Sequence, residues 1–299
     1  MESHHNHAHH PSNTRVLFLS FLFIFAFMIV EAIGGFLTNS LALLSDAGHM
    51  LSDAAALGLS LLAFKIGDKK ATQDKTYGYR RFEIIAAFLN GVTLIAISLY
   101  IFYEAFHRFS NPPNVSASMM VIAFMGLIVN ILVAWMLMRG DSKENLNIRS
   151  ALLHVFGDLL GSIGALIAGA LIFLFNWNIA DPIASLIVAF LIIISGFRIT
   201  KDAIHILMEG KPDNVDMGKI IENLYTLDGV KDVHDLHIWS ITSEFPAMSC
   251  HLIVDDTVDR DHLLQKANRV LKTHFNISHC TIQIEGLYTS IHNESDYCD

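Results

Sequence analysis

Long apolar stretches separated by short polar links fill the first two-thirds of the chain. A bilayer has a hydrocarbon core of about 30 Å, which a helix crosses with roughly 20 apolar residues. Because no alternation of the barrel type appears, backbone hydrogen bonding inside the bilayer requires each such stretch to be helical. The pattern therefore predicts a membrane all-α bundle of six transmembrane helices, at residues 15–36, 40–64, 82–107, 117–138, 150–175 and 182–207.

The links predict where helices begin and how the bundle is oriented. Asp181 and Pro182 predict the start of the sixth helix, because Asp can cap a helix and Pro at its first position loses no needed donor. Lys and Arg cluster in the second and fourth links and after the sixth helix, whereas the first and fifth links have neither. Cytoplasmic loops carry an excess of these cations, so both termini are expected to face the cytoplasm. The compact links favour a bacterial inner membrane, with a vesicle or vacuole membrane as the alternative.

The last third of the chain has the pattern of a soluble α+β domain. Apolar positions at helical spacing predict one helix near residues 220–227 and another at 263–275. Alternating or β-branched runs predict strands at 233–241, 248–254 and 281–285. The resulting order, αββαβ, fits a small open-faced sandwich with metallochaperone-like topology.

Composition and charge separate these two parts. Only 16% of the residues are charged and 53% are hydrophobic, whereas soluble domains carry about 25% charged residues. The formal charge of −9 argues against nucleic acid as a partner. All of that excess lies in residues 209–299, which hold 16 acidic and 7 basic residues. Cys250, Cys280 and Cys298 also lie there, and their odd number indicates free thiols or soft metal ligands rather than a disulfide framework.

Two of the predicted helices carry the same polar spacing. The second contains His49 and Asp53, and the fifth contains His154 and Asp158. Ionisable residues at membrane depth are costly and usually functional, and a spacing of four places both side chains on one helix face. If the two helices pack side by side, two imidazoles and two carboxylates converge. Such a set suits a tetrahedral divalent cation, for which zinc is the best match.

Small and polar neighbours bear on this prediction. Gly48 and Ser52 in one helix, and Gly157 and Gly161 in the other, are small pairs of the type that lets helix backbones touch. Asp46 shares the face of the first His–Asp pair, where it could orient a ligand, relay protons or cap the helix. A plainer interpretation is that both pairs only fix the bundle through hydrogen bonds. The repeated spacing favours the metal site.

The motifs around these residues resemble the cation diffusion facilitator family, in particular its zinc-exporting branch of the bacterial cobalt–zinc–cadmium resistance type. The resemblance covers nearly the whole chain after about residue 14, in the segments SLALLSDAGHMLSD (40–53), YGYRRFEIIAAFLN (77–90), NLNIRSALLHVFGDLLGSIG (145–164), GVKDVHDLHIWSITS (229–243) and HCTIQIE (279–285). It implies a six-helix membrane domain, a cytoplasmic αββαβ domain, a homodimer, and exchange of Zn²⁺ for H⁺.

The resemblance also implies which residues bind metal. It assigns the transport site to His49, Asp53, His154 and Asp158, and a cytoplasmic zinc site to His234, His251 and Glu285. Further possible cytoplasmic ligands are His237, His262, His279, Cys280 and Cys298. Zinc is therefore expected as the transported substrate and as a regulatory ligand that tightens the dimer by neutralising repulsion between acidic domains.

The implied organisation has three parts. Residues 1–14 form a His-rich cytoplasmic tail, 15–208 form the transmembrane cation-efflux domain, and 209–299 form the cytoplasmic dimerisation and metal-sensing domain. Relatives often carry a His-rich loop between the fourth and fifth helices, but here the histidines lie in the tail instead. They could gather metal near the transport path or form an idle tail.

The ligand types suggest how transport is driven. Neutral imidazole binds metal and imidazolium does not, so metal and protons compete for His49 and His154. Exchange of divalent metal for protons across a lipid bilayer is the leading hypothesis. An intramembrane metalloenzyme would need an open coordination position, and a four-ligand site leaves none. A membrane metal sensor without transport is the other alternative.

Overall fold

The computed structural model describes residues 11–67, 71–116, 118–138, 146–243 and 245–287, which form two compact units. The membrane part consists of α1 (Pro11–Thr38), α2 (Leu41–Gly67), α3 (Phe82–Ser110), α4 (Met119–Met138), α5 (Leu146–Phe175) and α6 (Ala180–Leu207). Each predicted apolar stretch therefore forms a helix. The predicted fold class is confirmed.

Apolar stretches of membrane-spanning length can be identified among the residues that the structure describes. Among the described residues, three helices are long and apolar enough to cross a membrane: Phe21–Thr38, Phe82–Ser110 and Ala180–Leu207. Shorter apolar helical stretches occupy Met119–Leu132 and Gly161–Phe175. Helix α2 carries buried polar side chains at its centre, so its apolar character is interrupted where the candidate site lies.

Four of these helices pack in a closed ring. Helix α1 packs against α2 and α4, and α5 packs against the same two helices. Helices α3 and α6 approach each other closely through two glycines. A Cβ at Gly91 would lie 3.0 Å from the carbonyl oxygen of Gly196, and one at Gly196 would lie 3.1 Å from that of Gly91. Because no side chain separates the backbones there, the two helices touch.

The N-terminus of α2 is capped by a carboxylate from α6. Asp181 is fully buried, and its carboxylate accepts hydrogen bonds from Ser40 Oγ at 2.6 Å, Leu41 N at 2.7 Å and Ala42 N at 3.2 Å. The expectation that Asp181 caps its own helix is therefore wrong: α6 already begins at Ala180. The first N–H groups of a helix lack intrahelical acceptors, so Asp181 satisfies donors of α2 and joins the two helices.

The second unit contains the cytoplasmic domain and has the predicted αββαβ order. Its elements are α7 (Met217–Tyr225), β1 (Val230–Thr242), β2 (Phe245–Val254), α8 (Arg260–Phe275) and β3 (His279–Gly286). The sheet order is β1-β2-β3, with β1 antiparallel and β3 parallel to the central β2. Asp216 and Asp259 cap the two helices by accepting hydrogen bonds from N–H groups of their first turns.

The core of this domain lies between the helices and one face of the sheet. Alternate β2 side chains are buried against α7 and α8: Met248, Cys250, Leu252 and Val254. Because successive strand residues point to opposite faces, the remaining β2 residues are on the uncovered face. His251 is one of these, so its imidazole lies on the face that the helices leave uncovered.

Candidate metal centres

The first candidate centre begins with a buried histidine–aspartate pair in α2. His49 Nδ1 and Asp53 Oδ1 are 3.7 Å apart, and the two residues are only 8% and 4% exposed. This short distance is expected because the two residues are four positions apart, about one turn of the helix. Two polar side chains thus lie inside the bundle, within reach of a common cation.

Asp46 connects this face of α2 to α5. Its Oδ2 accepts a hydrogen bond from Ser162 Oγ at 3.0 Å, and Ser162 Oγ in turn accepts one from Asn130 Nδ2 of α4 at 3.2 Å. A Cβ at Gly161 would overlap the Asp46 carboxylate, so glycine is needed there for the two helices to approach. Asp46, Ser162 and Asn130 therefore form a buried polar connection between α2, α5 and α4.

The direction of α5 relative to α2 follows from which ends are adjacent. The first turn of α2 shares an apolar cluster with the later half of α5, including Ala42, Ala168 and Ile172. Asp46, one turn further along α2, contacts α5 at Gly161 and Ser162, earlier in α5. As the contact moves forward along α2, it moves backward along α5, so the two helices are antiparallel.

His154 and Asp158 lie in α5, but their side chains are outside the described residues. Their backbone positions can still be placed. Positions 158 and 154 come one and two turns before Gly161 on the same helix face. In an antiparallel pair aligned at Asp46 and Gly161, position 158 is level with His49 and position 154 with Asp53.

Where the structure describes the surroundings of the small pair predicted in α2, that pair lies against α3. A Cβ at Gly48 would lie 3.1 Å from Ile97 Cγ2 of α3. Ser52 Oγ accepts a hydrogen bond from Asn90 Nδ2 of α3 at 3.4 Å. Among the described residues, Gly161 serves the α2–α5 contact as expected, whereas Gly48 and Ser52 contact α3. Gly157, the other glycine predicted for this contact, has surroundings that lie outside the described residues.

Sequence reasoning missed one buried carboxylate in the membrane part. Glu31 of α1 is fully buried, and a Cβ at Gly126 of α4 would overlap its Oε1. The sequence did contain a signal, because Glu31 is an acidic residue within an otherwise apolar stretch. Glu31 is not part of a repeated spacing such as that of the two His–Asp pairs, so it was not singled out.

The second candidate centre lies on the uncovered face of the cytoplasmic sheet. One potential ligand atom from each of His234, His251 and Glu285 lies within 4.8 Å of the others. The two imidazole rings meet edge to face with centroids 5.2 Å apart, and His251 Nδ1 is 3.1 Å from Glu285 Oε1. Two imidazoles and a carboxylate are the ligand types that zinc prefers.

Strand register brings these three residues together. His234 of β1 pairs directly with His251 of β2, and Glu285 of β3 pairs with Ile253, two positions along β2. The three residues therefore occupy adjacent strands and lie within two positions of one another along the sheet. Glu285 is only 3% exposed, so a cation there would be largely shielded from water.

The other predicted cytoplasmic ligands lie apart from this cluster or outside the described residues. Burial raises the pKa of the Cys250 thiol to about 12 and that of the Cys280 thiol to about 11, so both stay protonated at neutral pH. His262 follows the N-cap of α8, and His279 packs against Phe245. Cys298 and the histidines of the tail, residues 1–10, lie outside the described residues.

Comparisons with known proteins place both units in one family. The family model for the cation efflux transmembrane domain matches residues 17–208, and the model for the cation efflux protein cytoplasmic domain matches residues 212–287. The chain is 54% identical over 297 residues to the cadmium, cobalt and zinc/H(+)-K(+) antiporter of Bacillus subtilis (strain 168), covering 98% of this chain and 94% of that protein.

Two further relatives are similar along most of their length. The zinc transporter ZitB of Pectobacterium atrosepticum is 41% identical over 284 residues, covering 94% of this chain and 88% of that protein. The metal cation efflux system protein CzcD of Cupriavidus metallidurans is 38% identical over 288 residues, covering 95% and 90%. These similarities confirm the predicted resemblance.

Proposed function

The chain belongs to the cation efflux family, an integral membrane family of metal transporters rather than enzymes, and we propose that it exports Zn²⁺ from the cytoplasm in exchange for H⁺. The observation that carries this proposal is the buried His49–Asp53 pair on the face of α2 that packs against α5. The ion is bound by His49, Asp53, His154 and Asp158.

The α2–α5 register supports this ligand set. Alignment at Asp46 and Gly161 puts each histidine of one helix level with the aspartate of the other. We expect the two imidazoles and two carboxylates to meet at one point between the helices, because four such ligands suit the tetrahedral coordination of zinc. Cd²⁺ and Co²⁺ fit the same ligands, and the names of the relatives include both metals.

Proton exchange follows from the imidazoles. A site open to the cytoplasm loses protons and binds Zn²⁺, and the same site open to a more acidic outside regains protons and releases the ion. Moving a divalent ion outward against 100 mV costs about 4.6 kcal/mol at roughly 2.3 kcal/mol per charge. Counter-moving protons offset part of that cost.

The remaining parts of the proposal concern placement and regulation. The protein spans the lipid bilayer of a bacterial inner membrane with both termini in the cytoplasm. Its three parts have separate roles: the tail at 1–14, the helix bundle at 15–208 and the cytoplasmic domain at 209–299. The cytoplasmic domain dimerises and binds regulatory Zn²⁺ at His234, His251 and Glu285. Its acidic charge gives no basis for binding nucleic acid.

A membrane metal sensor is the second candidate function. The cytoplasmic His–His–Glu cluster favours a sensor, because zinc could bind there and signal its concentration without any ion crossing the membrane. The two functions differ in one observable: only the antiporter moves zinc and protons in opposite directions through a bilayer.

The test is zinc flux into proteoliposomes driven by a pH gradient. We expect wild-type protein to accumulate zinc with opposite proton movement, and Asp53→Ala, His49→Ala and Asp158→Ala to fall to the level of empty vesicles. Asp202→Ala, which removes an exposed carboxylate from α6, is the matched control and should transport normally. Normal zinc-dependent proton flux in Asp53→Ala would refute the site, and no flux in wild type would favour the sensor.

A further inference from the structure

We propose that Asp232 and Asp235 are positioning residues that each hold one imidazole of the cytoplasmic zinc site in its metal-binding orientation. This inference rests on the zinc site of the proposed function and deepens it. The two carboxylates are outside the cluster of three ligands. Each lies beside the histidine on which it acts.

Asp235 lies against the far side of His251. Its Oδ2 is 3.6 Å from His251 Nε2, while the other ring nitrogen, Nδ1, is 3.1 Å from Glu285 Oε1. The ring is thus between two carboxylates, one on each nitrogen. If Nε2–H faces Asp235, the lone pair of Nδ1 is directed to the place where Glu285 offers its oxygen.

Backbone geometry explains why Asp235 can reach this ring. The β1–β2 pairing shifts register between His234 and His237, and Asp235 has a φ of +50° at this irregularity. A bulge re-aims the side chain of an edge residue. Asp and Asn adopt positive φ more readily than most residues, so the position suits this side chain.

Asp232 has the same relation to His234. Its Oδ2 is 3.4 Å from His234 Nδ1, which leaves Nε2 for the metal. The other carboxylate oxygen, Oδ1, accepts a hydrogen bond of 2.7 Å from the Tyr225 hydroxyl. That bond raises the pKa of Tyr225, so the phenol remains a donor and keeps Asp232 in place.

A second side chain also anchors Asp235. His237 Nε2 is 2.8 Å from Asp235 Oδ1, the oxygen that does not face His251. Each imidazole of the site is therefore backed by a carboxylate, and each carboxylate is fixed by a further group. This gives the exposed His237 a role that does not require it to bind metal.

The expected size of the effect follows from other metal sites. A carboxylate that accepts the second N–H of a ligating histidine fixes the tautomer and raises the basicity of the ligand, and its loss typically costs 10–100-fold in metal affinity. We expect Asp232→Asn and Asp235→Asn each to weaken zinc binding at the cytoplasmic site by about 10-fold or more. The asparagine retains the shape and tolerates the φ of position 235.

The experiment is a zinc competition titration against a chromophoric chelator, using the full-length protein in detergent with Asp53→Ala as background. Glu285→Ala identifies the binding event that belongs to the cytoplasmic site. Asp228→Asn is the charge-matched control, because Asp228 is 99% exposed and lies 3.9 Å from Lys266. We expect affinity to fall in Asp232→Asn and Asp235→Asn and to stay unchanged in Asp228→Asn.

Two further measurements show whether the aspartates position the histidines, bind the metal themselves or are needed for folding. Bound Co²⁺ should keep its tetrahedral visible spectrum in both variants, and unfolding without metal should be unchanged. Unchanged zinc affinity in both variants would overturn the inference while leaving the site intact. A changed Co²⁺ spectrum would instead make the aspartates direct ligands and also overturn it. If Glu285→Ala removes no binding event, the regulatory site of the proposed function fails.

Discussion

The two candidate metal centres are built by opposite means. In the membrane part, His49 and Asp53 are neighbours on one helix turn, and a second helix must be brought against them through Asp46 and Gly161. In the cytoplasmic domain, His234 and His251 come from different strands and are brought together by their pairing in the sheet. The membrane centre therefore depends on helix separation, and the cytoplasmic centre depends on strand register.

This difference determines how each centre can respond to metal. Helices joined by a few buried polar contacts can change separation, as a site that must release its ion to the other side requires. In the sheet, direct pairing of the strands holds His234 opposite His251 in a fixed register. The first arrangement suits a transported ion, and the second suits an ion that remains bound.

Separating α2 from α5 should impair transport more than any other change considered below. Gly161→Leu should abolish zinc flux although it changes no proposed ligand, because the added side chain would overlap the Asp46 carboxylate. Overpacking of this kind also costs about 1–3 kcal/mol of stability. Flux in proteoliposomes and thermal unfolding in detergent measure both effects.

Gly164→Leu is the matched control for that substitution. It lies one turn further along α5, and a Cβ there would meet nothing within 4 Å among the described residues. It should transport and unfold like wild type. Equal loss of flux in both variants would show that the α2–α5 contact has no special importance.

The next effect concerns the cap that α6 supplies to α2. Asp181→Ala removes the acceptor of the Leu41 and Ala42 N–H groups, so two buried donors lose their partner. An unsatisfied buried donor costs about 1–3 kcal/mol. We expect a lower midpoint of thermal unfolding in detergent for Asp181→Ala. Asp202→Ala, in the same helix but exposed, should keep the wild-type midpoint, and equal midpoints for both variants would contradict the cap.

A smaller effect is expected when the cytoplasmic centre alone is removed. Glu285→Ala should retain zinc transport at saturating zinc and lose one bound zinc per chain, because the membrane ligands are untouched. Equilibrium binding to purified protein gives the stoichiometry, and proteoliposome flux gives the transport. Complete loss of transport would mean that the two centres do not have separate roles.

The smallest effect is expected at Cys280, which packs against the core of the cytoplasmic domain. Cys280→Ala should leave zinc affinity unchanged, since burial raises the pKa of its thiol to about 11 and the protonated thiol is a poor ligand. A competition titration of the variant against wild type measures this. A clear loss of affinity would add Cys280 to the ligands.

Sequence periodicity predicted the elements because each has one dominant pattern. The apolar stretches could satisfy their backbone only as helices, and the alternation of β2 is matched by its buried side chains from Met248 to Val254. The spacing of His49 and Asp53 fixed their shared face without any tertiary information. The antiporter class came from family motifs rather than from physics alone.

Contacts between distant segments could not be predicted in the same way. Asp181 has the sequence context of a cap for α6, yet it binds the start of α2, 140 residues away from Leu41. Gly48 and Ser52 looked like the partners of α5 but face α3. Spacing along one helix shows which side chains share a face, but it does not show which neighbouring helix packs against that face.

A structure of the zinc-loaded protein would show whether the four proposed membrane ligands bind a single ion. We expect one zinc ion between α2 and α5, with a nitrogen of His49 and of His154 and an oxygen of Asp53 and of Asp158 each at about 2.0–2.2 Å. Zinc bound in the membrane part away from these residues, or separate ions at the α2 and α5 pairs, would contradict it.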